Sequence, residues 1–176
     1  PAGRVVGCDF CQDMLDRAPV KAQAEGLQVQ FQWADACSLP FKNDEFDVTS
    51  MAYGIRNVQD RPKAIAEMAR VTKPSGRIMI LETGDTQWPG FAGLYKFYFS
   101  QVIPRIGGLI TGKRSAYEYL NQSSAQFPSG DNFIELLKSS AAFSECRFWP
   151  LMAGASYIYS AQVATSSALR ETPAQA

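Results

Sequence analysis

The chain of 176 residues contains no histidine. That absence removes Ser–His and Cys–His nucleophiles and most zinc chemistry together. Cysteine is scarce as well. Cys8, Cys11, Cys37 and Cys146 are too few and too scattered for a disulfide scaffold. Cys8 and Cys11 have C-x-x-C spacing, but without a second pair or a histidine they read as ordinary thiols in a reducing, cytoplasmic setting, with no metal. No apolar run reaches the roughly 18 residues of a membrane-crossing helix. The nearest, Val102 to Thr111, is broken by Pro104 and Arg105, and no signal-peptide pattern is visible. Excess charge of either sign is also missing. Lys+Arg and Asp+Glu number 17 each, so nothing argues for nucleic acid or an anionic surface as partner.

What is present suits one domain. At 46% hydrophobic, a chain of this length can bury a single substantial core. Arg4 to Asp9 is a short apolar run ending in an acid, and Cys11 to Glu25 has helical spacing with Gly26 as its stop. Val29 to Ala34 alternates as a strand does, and Phe46 to Ala52 reads as a third strand. Asp60 opens a helix to Thr72 with Pro62 in its first turn, and Lys73-Pro74-Ser75-Gly76 turns the chain into a buried strand, Arg77 to Glu82. Alternating strands and helices predict an α/β, Rossmann-like, doubly wound and mostly parallel sheet. Residues 83–127 break that rhythm, are rich in Tyr and Phe, and read as a helical insertion over the crevice. Asn132 to Ala141 then reads as helix, and Cys146 to Met152 and Ser156 to Ala164 as strands. The domain so predicted covers 1–164, and residues 165–176 read as a frayed tail.

In such sheets ligands sit outside the carboxyl ends of the strands. Asp9 ends the first strand, where an acid can accept both hydroxyls of a ribose; the other possibility is a helix cap or turn acid. That geometry serves NAD and S-adenosylmethionine equally. A short-chain dehydrogenase would also need a tyrosine with lysine four positions on, and no tyrosine here has one. Asp35 can accept from an exocyclic amine while the Ala36 amide donates to a ring nitrogen, a pair that suits an adenine edge; the competing role is an Asx turn. Phe10 and Met14 can flank the same base, although Met14 also suits the core. Arg56-Asn57 places a fixed cation and an amide, with both donor and acceptor, past the next strand, where a second substrate would lie.

Several blocks carry a more specific signal. They include Gly7-Cys8-Asp9-Phe10 with Met14-Leu15, Asp44-Glu45-Phe46-Asp47, Gly54-Ile55-Arg56-Asn57-Val58, Glu67-Met68-Ala69-Arg70-Val71, Tyr95-Lys96-Phe97-Tyr98-Phe99 and Tyr117-Glu118-Tyr119-Leu120. From about Arg4 to about Val163 the chain resembles the ubiquinone/menaquinone biosynthesis C-methyltransferases, a branch of the class I S-adenosylmethionine-dependent methyltransferases. The resemblance implies S-adenosylmethionine as cofactor and a prenylated quinol, demethylmenaquinol or a methoxy-benzoquinol, as substrate. It implies that Arg56 holds a phenolate or a proton-accepting water, that Asn57 orients the ring oxygen, and that Tyr53, where the family usually has Phe, packs on the ring. Ala52 stands where the family often has Ser and would keep only a backbone contact with the cofactor. The apolar segment 94–110 could be a groove for the prenyl tail, a peripheral membrane contact, or simple helix packing.

Departures from the family pattern are Ser75 for a usual Gly, Tyr159 near a usual His, and Glu82-Thr83-Gly84-Asp85 where Glu-Phe-Ser is usual. The family fold also begins with a strand and a glycine-rich turn that no residue before Arg4 supplies. That strand would lie at the sheet's centre, between Arg4–Asp9 and Phe46–Ala52. The sequence therefore reads as lacking an amino-terminal unit. The alternatives are a non-catalytic remnant or interaction module, or a methyltransferase for another small aromatic substrate.

Overall fold

A computed structural model describes residues 3–84 and 114–165. Strand β1 (Val6–Asp9), helix α1 (Gln12–Ala24) and strand β2 (Gln30–Trp33) come first. Strand β3 (Phe46–Ala52), a single 3-10 turn (Ile55–Asn57), helix α2 (Arg61–Val71) and strand β4 (Thr72–Thr83) follow. Beyond residue 113 come α3 (Arg114–Ala125), α4 (Asp131–Ser140), β5 (Phe143–Leu151) and β6 (Ser156–Val163). The segment 94–110, most of the expected 83–127 insertion, and residues 166–176 of the expected tail lie outside the described residues.

β1 pairs with β2 in parallel, and β3 with β4 in parallel. β6 lies between β4 and β5 and is antiparallel to both, so β3, β4 and β5 run one way and β6 against them. This is the mostly parallel arrangement expected, with one reversed strand. Among the described residues the strands form two separate ladders, β1-β2 and β3-β4-β6-β5. β1 and β3 are the two strands expected to flank an absent central one, and each pairs on one side only. Val48, in the middle of β3, is 57% exposed, where an inner strand of a parallel sheet is ordinarily covered on both faces.

Local chemistry explains the boundaries. Asp60 caps α2 by accepting from the Lys63 amide at 3.0 Å, and Pro62 falls in the first turn, where a missing N–H is harmless. One expectation needs correcting. Lys73 to Gly76 is not a turn between elements but an irregularity inside β4, where the pairing jumps from Phe46–Thr72 to Val48–Arg77. Ser75 takes φ 64°, and a Cβ at Gly76 would lie 2.7 Å from the Lys73 carbonyl oxygen and 2.8 Å from that of Asp47. The left-handed step lets the strand absorb its extra residues and rejoin β3.

The core lies between the four-stranded sheet and α2 and α4. Ile65, Phe133, Leu137, Ile78, Ile80 and Tyr159 are each at most 1% exposed. The Phe133 ring stands 4.5 Å from Tyr159 and 4.9 Å from Phe127. Tyr159 accepts the Gly130 amide at 2.8 Å, and burial pushes its phenol well above the ordinary range. The residue standing near the family's usual His is thus a neutral core tyrosine.

Candidate active site

Two polar clusters form at the carboxyl ends of the strands. At the end of β1, Asp9 Oδ1 accepts the Cys11 amide at 2.9 Å and so shapes the entry to α1. After β2, Asp35 Oδ1 accepts the Cys37 amide at 2.8 Å, and the Asp35 carbonyl accepts the Ser38 amide at 2.9 Å. Both acids make the Asx-type turns weighed against ligand contact. Each turn commits one oxygen, and a carboxylate has a second to offer.

A cavity of about 160 Å³ opens beside β1, lined by Gly7, Cys8, Asp9, Met14, Leu15, Ala18 and Phe31. It brings Asp9 and Met14 together. At 57% exposed, Met14 is not a core residue. Gly7 is required here, since a Cβ would lie 2.8 Å from the Phe31 ring. Phe10, Asp35, Ala36 and Ala52 do not line this cavity. Phe10 is 71% exposed and its carbonyl accepts the Trp33 indole N–H at 2.8 Å. Ala36 packs at the edge of the core, and Ala52 is exposed at the end of β3 opposite Leu81.

The second cluster begins at Tyr53, which takes φ 54° immediately after β3. A bulky residue in the left-handed region is strained, and such strain persists only where neighbours over-determine it. Its amide donates to the Leu81 carbonyl at 2.8 Å, and its own carbonyl accepts from Arg56 Nη1 at 2.8 Å. Ile55, fully buried, plugs the 3-10 turn into the core and leaves Arg56 partly covered and Asn57 exposed. Arg56 Nη1 also meets Glu82 Oε1 at 2.6 Å, so part of this guanidinium is structural, as a loop-bridging Arg would be. Asn57 Oδ1 accepts from the Tyr119 hydroxyl at 3.0 Å. Glu82 and Tyr119 were not picked out as site residues from the sequence. The signal for Glu82 was an acid ending a buried strand, and that for Tyr119 was its place in a family block.

The two clusters are physically joined. The Cys37 thiol reaches the Asp60 carbonyl at 3.5 Å; burial first, and then the Asp35 and Asp60 carboxylates, push that thiol above its ordinary range. Glu67 on α2 accepts the Leu39 amide at 2.8 Å, while Arg70 donates to the Leu39 and Phe41 carbonyls at 2.9 and 2.8 Å. The Asp35 loop is therefore bolted to the helix that follows Arg56-Asn57.

Residues 1–162 match the model of the ubiE/COQ5 methyltransferase family. The chain belongs to that family. It is 47% identical over 161 residues to the ubiquinone/menaquinone biosynthesis C-methyltransferase UbiE of Bdellovibrio bacteriovorus, covering 92% of this chain and 68% of that protein. It is 42% identical over 144 residues to the demethylmenaquinone methyltransferase of Thermus thermophilus, covering 82% of this chain and 65% of that one. The chain thus spans about two thirds of these relatives' length. Among solved structures, an S-adenosylmethionine-dependent methyltransferase from Methanosarcina mazei superposes with a TM-score of 0.62 at 19% identity, over 93% of this chain and 83% of the other. That likeness is one of fold. Among the described residues no helix is long and apolar enough to cross a membrane.

Proposed function

We propose that the chain belongs to an S-adenosylmethionine-dependent C-methyltransferase that methylates the ring of a prenylated quinol, demethylmenaquinol or a methoxy-benzoquinol. The observation that carries this is the Tyr53–Asn57 loop, which sets a largely covered cation, its side chain 11% exposed, and an exposed amide at the carboxyl end of β3, in a chain of this family.

The residues fit the nucleoside half of the donor. Asp9, with a carboxylate oxygen beyond its turn bond, would take the ribose hydroxyls. Asp35 and the Ala36 amide would take the adenine edge, with Phe10 and Met14 against the base and Ala52 offering backbone. The cavity is smaller than the roughly 300–1,000 Å³ of a complete small-molecule site, so it suits only part of a nucleoside. When bound, the donor supplies an electrophilic methyl group.

The chain's own work is on the acceptor ring. Carbon methylation needs an electron-rich ring carbon, which an ionised ring hydroxyl provides. A guanidinium is a hydrogen-bond donor with no acceptor to offer, so Arg56 stabilises the oxyanion rather than taking the proton. Asn57 would hold the ring oxygen and Tyr53 would pack on the ring face.

The test uses the protein expressed from its gene with any adjoining coding sequence retained. Labelled donor and each quinol are supplied, and label in neither product overturns the proposal. Arg56→Ala should slow single-turnover transfer about a hundredfold, ~3 kcal/mol, at unchanged donor affinity. Asp35→Ala should instead weaken donor binding by about 1–3 kcal/mol. Titration of the 176-residue chain itself with S-adenosylhomocysteine separates an autonomous donor site from a remnant or interaction module, for which no heat is expected.

A further inference from the structure

Glu82 ends the buried part of β4 with no exposed surface, and the partners recorded for its carboxylate are all donors. Arg56 Nη1 meets Oε1 at 2.6 Å and the Arg56 amide meets Oε2 at 3.2 Å. The Thr83 amide and hydroxyl donate to Oε1 at 2.7 and 3.1 Å. One carboxylate thus grips both the side chain and the backbone of the same arginine. The guanidinium cannot swing, and the 3-10 turn carrying Asn57 cannot pivot, without breaking a bond to a buried charge.

We propose that Glu82 is the positioning residue of this site: it fixes the Arg56 guanidinium and the pitch of the Arg56-Asn57 turn toward the ring oxygen. The proposal rests on the function proposed above for that loop. It also accounts for an otherwise costly feature, a carboxylate buried at the end of a central strand, where an apolar side chain would pack without a desolvation penalty.

Glutamine has the same shape but cannot replace it. Whichever way the amide turns, its NH₂ faces a donor: the Arg56 amide on one side, or Arg56 Nη1 and the Thr83 amide on the other. One of the two grips is lost. Aspartate keeps the charge but withdraws it by one methylene, so it tests reach rather than charge.

The experiment measures single-turnover methyl transfer from labelled donor to demethylmenaquinol or the methoxy-benzoquinol, together with S-adenosylhomocysteine affinity. The protein is expressed with any adjoining coding sequence retained. Glu82→Gln should slow transfer ten- to a hundredfold at unchanged donor affinity. In an Arg56→Ala background the same change should cost at least threefold less than in the wild type, because the grip on the guanidinium is already gone and only the grip on the residue 56 amide remains. An equal loss in both backgrounds, or a loss confined to donor affinity, overturns the proposal. Glu82→Asp covers a Gln variant that does not fold. It should slow transfer at least fivefold, and a wild-type rate in it overturns the proposal too. No transfer by the unmodified protein overturns this proposal and the functional one together; transfer unaffected by the Glu82 changes overturns this one alone.

Discussion

The β1–α1–β2 unit and the β3–β4–β6–β5 sheet hold their polar groups in opposite ways. In the first, the helix buries only Leu15 and Ala22, neither strand has a buried residue, and Asp9 and Asp35 are placed by amides two positions along the chain. In the second, a dense core of Ile, Phe and Tyr side chains fixes the backbone, and Arg56 and Asn57 are placed by Glu82 and Tyr119, 26 and 62 positions away. The side proposed to hold the donor templates itself locally. The side proposed to hold the acceptor depends on tertiary packing.

The sharpest way to break this contrast is to cut one large side chain from each half. Phe133→Ala should cost about 3–5 kcal/mol in urea unfolding, because its site is closed on every side and cannot collapse. Leu15→Ala, at the rim of an open cavity, should cost about 2 kcal/mol. Equal losses would mean that the first unit is as tightly built as the second.

Next in size is the turn at Asp9. Asp9→Ala should lose about 1 kcal/mol of stability, as removal of an N-terminal capping group does, whereas Asp9→Asn keeps the acceptor and should lose little. A large loss in the Asn variant would show that charge, not turn geometry, holds this end of β1.

How much of this was legible in the sequence follows the same division. Asp9 and Asp35 could be chosen because an acid closing a strand is visible in the order of residue types, and their turn bonds, to amides two residues on, were legible as the competing role. The helix cap at Asp60 was legible for the same reason. Glu82 was visible only as an acid closing an apolar strand, since nothing local says that a guanidinium 26 positions back will meet it. Tyr119 stood in an aromatic-rich stretch where contacts with one another and with a substrate leave the same composition. The irregularity at Ser75 looked like a turn because Pro and Gly mark one; the ladder to β3 overrode that local preference.

A smaller effect probes the joint between the two halves. Arg70 first, and then the Leu39 amide, hold the Glu67 carboxyl below its ordinary value of 4.5. A carboxyl depressed in the folded state contributes stability that is complete above its unfolded value and is lost as pH falls through the folded one. Stability should therefore decline below about pH 4.5, and Glu67→Gln should flatten that decline by under about 1 kcal/mol, since the pair is partly exposed. Smallest of all, Ser75→Gly should raise stability by about 0.5 kcal/mol, because glycine adopts φ 64° without strain but costs more entropy on folding. A loss there would place the benefit of Ser75 in its side chain instead.

The bolting of the Asp35 loop to α2 has a thermodynamic consequence. α2 starts four residues after Asn57, so a ligand that shifts the Arg56 turn pulls on the same helix that holds the Asp35 loop. Two ligands that bias one shared element must affect each other's affinity by the same factor. Donor and quinol would then bind as linked rather than independent partners. The factor by which a bound quinol analogue tightens S-adenosylhomocysteine should be returned when the order of addition is reversed. Reversing Glu67 and Arg70 to neutral residues should bring that factor toward one.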